Sequence, residues 1–90
     1  MNLLKDFLVR EGFKKVTIPG LGDMVYQKKL NSEISIAVAF VPYERTWIIG
    51  LGMNSRTLLM DRMQTPAAVE AKYIDLLRLA DGFRENEEDA

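Results

Sequence analysis

Ile34-Ser35-Ile36-Ala37-Val38-Ala39-Phe40-Val41-Pro42-Tyr43-Glu44-Arg45-Thr46-Trp47-Ile48-Ile49-Gly50-Leu51-Gly52-Met53 decides the fold of this chain. On both sides of residues 42–45, large apolar residues alternate with smaller ones, the period-two pattern of strands with one buried face. If 42–45 form a four-residue hairpin loop, Val41 faces Thr46. Phe40 then meets Trp47, Val38 meets Ile49, Ile36 meets Leu51 and Ile34 meets Met53. A slip of one residue would set every one of these against a side chain of the other face, so the hydrophobic pattern specifies the register.

Working back toward the N-terminus, residues 24–30 read as a strand that alternates Met24, Tyr26, Lys28 and Leu30. A three-residue loop at 31–33 places Leu30 by Ile34, Tyr26 by Val38 and Met24 by Phe40. Lys28 is the misfit on that face and is expected to snorkel near an edge. Residues 14–18 read as a short strand, and Pro19-Gly20-Leu21-Gly22-Asp23 as a turn or loop. Residues 3–11 read as a helix with Leu4, Phe7 and Leu8 on one face and Asn2 as its cap. Gly12 stands where a left-handed C-terminal cap belongs, with Phe13 free to pack back on the last turn.

Toward the C-terminus, Asn54-Ser55 suits a two-residue hairpin loop into a strand over 56–63. That spacing sets Leu58 opposite Leu51, Met60 opposite Ile49 and Arg62 beside Trp47. Leu58, Leu59, Met60 and Met63 also fit a helix opened by Ser55, and the strand is the favoured reading. Thr65 and Pro66 then open a helix with an apolar stripe of Val69, Tyr73, Leu76, Leu77 and Ala80, ended at Gly82. The expected class is α+β: a two-layer sandwich, with an antiparallel meander of three to five strands flanked by N- and C-terminal helices on its large-residue face. Residues 1–83 form one domain, and 84–90 an acidic flexible tail.

Composition narrows the function. Of 90 residues, 48% are hydrophobic and 28% charged, which is globular rather than disordered. There is no cysteine and no histidine. Disulfides, thiolate zinc sites, thiol nucleophiles and the usual general base are thereby excluded. Ser32, Ser35 and Ser55 have no histidine partner, and a metal site would have to be built from oxygen. No metal or cofactor is expected. Carboxylate pairs such as Glu44 with Asp61, or Asp75 with Asp81, are read as surface charge. Gly50-Leu51-Gly52 has the first two glycines of a dinucleotide fingerprint but neither the third nor the parallel-strand context, so the glycines are read as points of close approach by a neighbouring chain. The absence of a signal-like start or an 18-residue apolar run points to a cytoplasmic protein without membrane attachment.

The tail 84–90 has one arginine against four acids, a net of −3, which leaves the rest of the chain at +2. That is too weak a footprint for a dedicated nucleic-acid binder. Tyr43, Arg45 and Arg56, near the hairpin ends, are the candidate contacts for a ligand or a single strand, and Trp47 is assigned to the core.

The other face of the sheet is more informative. A wet face normally shows Thr, Lys, Glu and Arg. Here it holds Val25, Gln27, Ser35, Ala37, Ala39, Ile48, Gly50, Gly52, Leu59 and Met63, small and apolar at its centre. Such a face is expected to be an interface, with a second copy of the chain as the simplest partner, unless a helix crosses to cover it. The layout, helix, meander and helix with a short acidic tail, resembles uncharacterised small proteins of phages and mobile elements, which implies an accessory or inhibitor protein that works by binding. The expected function is a non-catalytic protein-binding module that self-associates through the open face or an exposed edge of its sheet. The alternatives are a small-ligand or nucleotide binder on that face, or a weak single-strand binder.

Overall fold

A computed structural model describes the backbone of residues 3–18, 22–54 and 56–89, and side chains within 4–17, 25–54 and 56–82. The elements run α1 (Leu3–Arg10), β1 (Lys14–Ile18), β2 (Gly22–Lys29), β3 (Ile34–Val41), β4 (Thr46–Met53), β5 (Arg56–Met63) and α2 (Pro66–Asp89). The five strands form one antiparallel sheet in the order β1-β2-β3-β4-β5. Both helices contribute to a single apolar core on one face, so the architecture is the expected two-layer α+β sandwich. The expected turn at 19–21, the Asn2 cap and Ser55 lie outside the described residues, and so do the side chains of Met24 and Phe83.

The central register is the one the hydrophobic pattern demands. Phe40 pairs with Trp47, Val38 with Ile49, Ile36 with Leu51 and Ile34 with Met53. Tyr26 pairs with Val38 across β2 and β3. The loop between them is held by Asn31, whose Oδ1 accepts from the main-chain N–H groups of Glu33 and Ile34 at 2.7 Å each. Ile34, Ile36, Val38, Ile49 and Leu51 are fully buried beneath Val69, Tyr73 and Leu76 of α2. Each such side chain contributes about 1.5–3 kcal/mol of transfer free energy.

Both helices carry caps legible in the sequence. Gly12 adopts φ +93°. Phe13 N–H donates to the Leu8 carbonyl at 2.9 Å and Gly12 N–H to that of Val9 at 3.1 Å, the paired bonds of a Schellman motif. Phe13 and Leu8 are both buried, the apolar contact that accompanies this cap. At the other helix, Thr65 Oγ1 accepts from Ala68 N–H at 3.1 Å, with Pro66 in the first helical position.

Three expectations need correction. First, Gly82 does not end α2, which runs on to Asp89. The helix thus continues through 84–89. Gly82 has no positive φ and nothing near its absent side chain, so the helix has no steric reason to stop there.

Second, Lys28 does not snorkel to an edge. It lies half-buried on the helix face, where its Nζ donates to the Tyr73 hydroxyl at 2.5 Å. That hydroxyl in turn donates to Glu11 Oε1 at 3.2 Å. The polar chain ties β2, α2 and the end of α1 together beside the ring contacts of Tyr73 with Phe7 and Phe13.

Third, β5 follows the expected register only for its first two pairs, Met53 with Arg56 and Gly52 with Thr57. A bulge then shifts the ladder, and Leu51 pairs with Leu59 instead of Leu58. Asp61 consequently stands opposite Ile49, and Met63 opposite Trp47. Leu59 and Met63 therefore belong to the helix face, where Met63 packs on the core, and not to the open face. Met60 and Arg62 take the open face, opposite Gly50 and Ile48. The shift brings Asp61 to Lys72 of α2, at 2.8 Å.

Candidate functional site: the open face of the sheet

Alternation along the strands leaves three cross-strand rows on the face away from the helices. The first is Lys29, Ser35, Gly52 and Thr57; the second Gln27, Ala37, Gly50 and Met60; the third Val25, Ala39, Ile48 and Arg62. Among the described residues, neither helix crosses to this face, since the packed side chains of α1 and α2 all belong to the core on the other side.

The face is concave. A trough of about 360 Å³ runs along it, walled by Val25 and Gln27 of β2 on one side and by Arg56, Thr57 and Met60 of β5 on the other. Ser35, Ala37 and Ala39 of β3, with Ile48 and Gly50 to Gly52 of β4, form its floor. Eight of the ten residues expected on this face thus line one cavity, and Arg56, Thr57, Leu51 and Met60 complete it.

The two glycines explain the curvature. A Cβ on Gly50 would stand 3.0 Å from the Leu59 carbonyl oxygen, and one on Gly52 would stand 3.2 Å from that of Arg56. The main chain of β5 therefore leans over the open face above both glycines, which only residues lacking Cβ allow. The close approach expected at these positions is made by the chain's own edge strand.

The trough changes character along its length. At one end, Val25 is fully buried between its register neighbours Val16 and Ala39, with Ile48 beyond. At the other, Gln27 Nε2 donates to Ser35 Oγ at 3.5 Å, beside Thr57 and the main chain of Arg56. Among the described residues, no acidic side chain lines the cavity.

The aromatic-basic set does not converge. Tyr43 is fully exposed and Arg45 adopts φ +50°, both in the turn between β3 and β4. Arg56 stands at the far end of β4, seven residue steps and roughly 23 Å away. Arg62, expected beside the indole of Trp47, instead pairs with Glu44 across the open-face side of the hairpin. Trp47 is half-buried against the core, its ring centroid 4.6 Å from that of Phe40. Glu44 and Asp61, considered as a carboxylate pair, each bind a different cation.

No helix among the described residues is long and apolar enough to cross a membrane. No protein-family model, no curated protein and no solved structure matches this chain.

Proposed function

We propose that this protein is a non-catalytic binding module that self-associates through the β5 side of its sheet. The observation that carries this reading is the contrast between the two sheet edges. β5 is eight residues long, with seven exposed and only Met63 half-buried, and it presents Leu58, Leu59 and Met60 in succession. Exposed long edge strands with apolar side chains are templates for pairing with another chain. β1, at the opposite edge, is five residues long and begins with Lys14 and Lys15. Those are the features that discourage edge pairing.

A twofold axis normal to the sheet would set β5 antiparallel to itself, joining two five-stranded sheets into one of ten. The open faces of the two copies would then lie on the same side of the joined sheet. One patch serves both partners, as a closed dimer requires.

The test is native mass by light scattering across a concentration series. A dimer is expected at micromolar concentration, and Leu58→Lys should shift the equilibrium to monomer by placing a charge on the edge. A wild-type chain that stays monomeric at high micromolar concentration would overturn self-association.

A further inference from the structure

β5 offers a partner strand only part of its length as regular ladder. Leu51 pairs with Leu59 and Gly52 with Thr57, so Leu58 is the extra residue of the bulge and the unbroken stretch runs from Leu59 to Met63. Along it the side chains alternate, with Leu59, Asp61 and Met63 on the helix face and Met60 and Arg62 on the open face. A twofold axis normal to the sheet keeps every side chain on its own face. Residues directly opposite each other in an antiparallel pair also share a face. The axis must therefore pass beside a residue that faces its own copy, never between two neighbours. That leaves five registers, one for each residue of the stretch.

Charge and ladder length remove four of them. Centred on Asp61, two carboxylates face each other, and centred on Arg62, two guanidinium groups do; like charges directly opposite are destabilising. The pairs these residues make with Lys72 and Glu44 are exposed and offset little of this. Centred on Leu59, Met60 meets the bulged Leu58 one step from the axis. Centred on Met63, the next partner is Gln64, already beyond the strand. We propose that the axis passes at Met60, so that Met60 faces its own copy on the open face and Leu59 faces the partner's Asp61 on the helix face. Met60 is 64% exposed in the single chain, against 45% for Leu58 and 44% for Leu59, so the self-contact covers the apolar side chain with most surface to lose. This register rests on β5 being the self-associating edge.

The chain has no cysteine, so single cysteines report the register without background. Leu59, Met60 and Asp61 are all exposed, and each is replaced by cysteine in turn. Directly opposite Cα atoms in an antiparallel pair lie about 4.5–5.5 Å apart, within reach of a disulfide. In the Met60 register, residues 59 and 61 lie roughly 8 Å from their own copies, two residue steps along the strand and beyond that reach. Met60→Cys is expected to form a covalent dimer under diamide about tenfold faster than Leu59→Cys or Asp61→Cys, read on a non-reducing gel. Fastest cross-linking at 59 or 61, in a chain that light scattering shows to be dimeric, would overturn the register and leave self-association standing. Equally slow cross-linking at all three positions of a dimeric chain would overturn both the register and the β5 edge. A wild-type chain that is monomeric at high micromolar concentration would overturn self-association itself, and the register with it.

Discussion

The carbonyl oxygen of Leu59 stands 3.0 Å from the point that a Cβ on Gly50 would occupy. That distance is shorter than ordinary packing allows, and the obstacle is main chain, which cannot rotate away as a side chain can. Gly50→Ala should therefore destabilise the protein by about 1–3 kcal/mol, the usual cost of overpacking. The entropic gain of replacing glycine offsets only part of this. Urea denaturation measures it, and an unchanged or increased midpoint would mean that β5 does not lean over the face. Gly50→Glu is for the same reason a poor probe of any interface, since it disrupts the fold before it meets a partner.

Gly82 predicts the opposite sign. It lies within α2 with open space where its side chain would be. Gly82→Ala should raise stability by about 0.5–1 kcal/mol, the difference between the two residues inside a helix. A loss of stability would place Gly82 in a left-handed cap and return the helix end to the position its sequence suggests.

The Lys28–Tyr73–Glu11 chain predicts a coupled pair. Tyr73→Phe strips the half-buried ammonium of its acceptor and should cost about 1–3 kcal/mol. Lys28→Met together with Tyr73→Phe removes donor and acceptor at once. The double variant should be more stable than Tyr73→Phe alone, and a double-mutant cycle by chemical denaturation reads the coupling. Strict additivity would show that the contact carries no net energy.

Trp47 packs on Phe40 with its ring only partly covered. Trp47→Ala should cost about 2 kcal/mol, less than the roughly 3–5 of a fully buried aromatic truncation. Calorimetry checks this against a change in any binding activity. Full stability with lost binding would move Trp47 from core to ligand platform.

The local and pairwise features of this protein were legible in its residues. The alternation of β3 and β4 set their register because every large side chain had a large partner on one face. Gly12, Thr65 and Pro66 marked helix ends because capping is satisfied within a few residues of chain. The open face was legible for the same reason, since eight of its ten expected residues follow from the register of β2, β3 and β4.

What tertiary structure decided were the choices that depend on distant neighbours. The bulge in β5 leaves no local signature. It moves Leu59 and Met63 to the helix face, where Asp61 reaches Lys72 and Met63 reaches the core, contacts that exist only once α2 has docked. Lys28 looked like a misfit because its partners, Tyr73 and Glu11, lie 45 residues after it and 17 before it in the chain. Gly82 resembled a helix end, yet the residues beyond it continue α2 to Asp89. Periodicity encodes which side of an element is apolar. It does not encode where one strand's main chain crosses another's face, and that crossing, over Gly50 and Gly52, turned a flat sheet face into a trough.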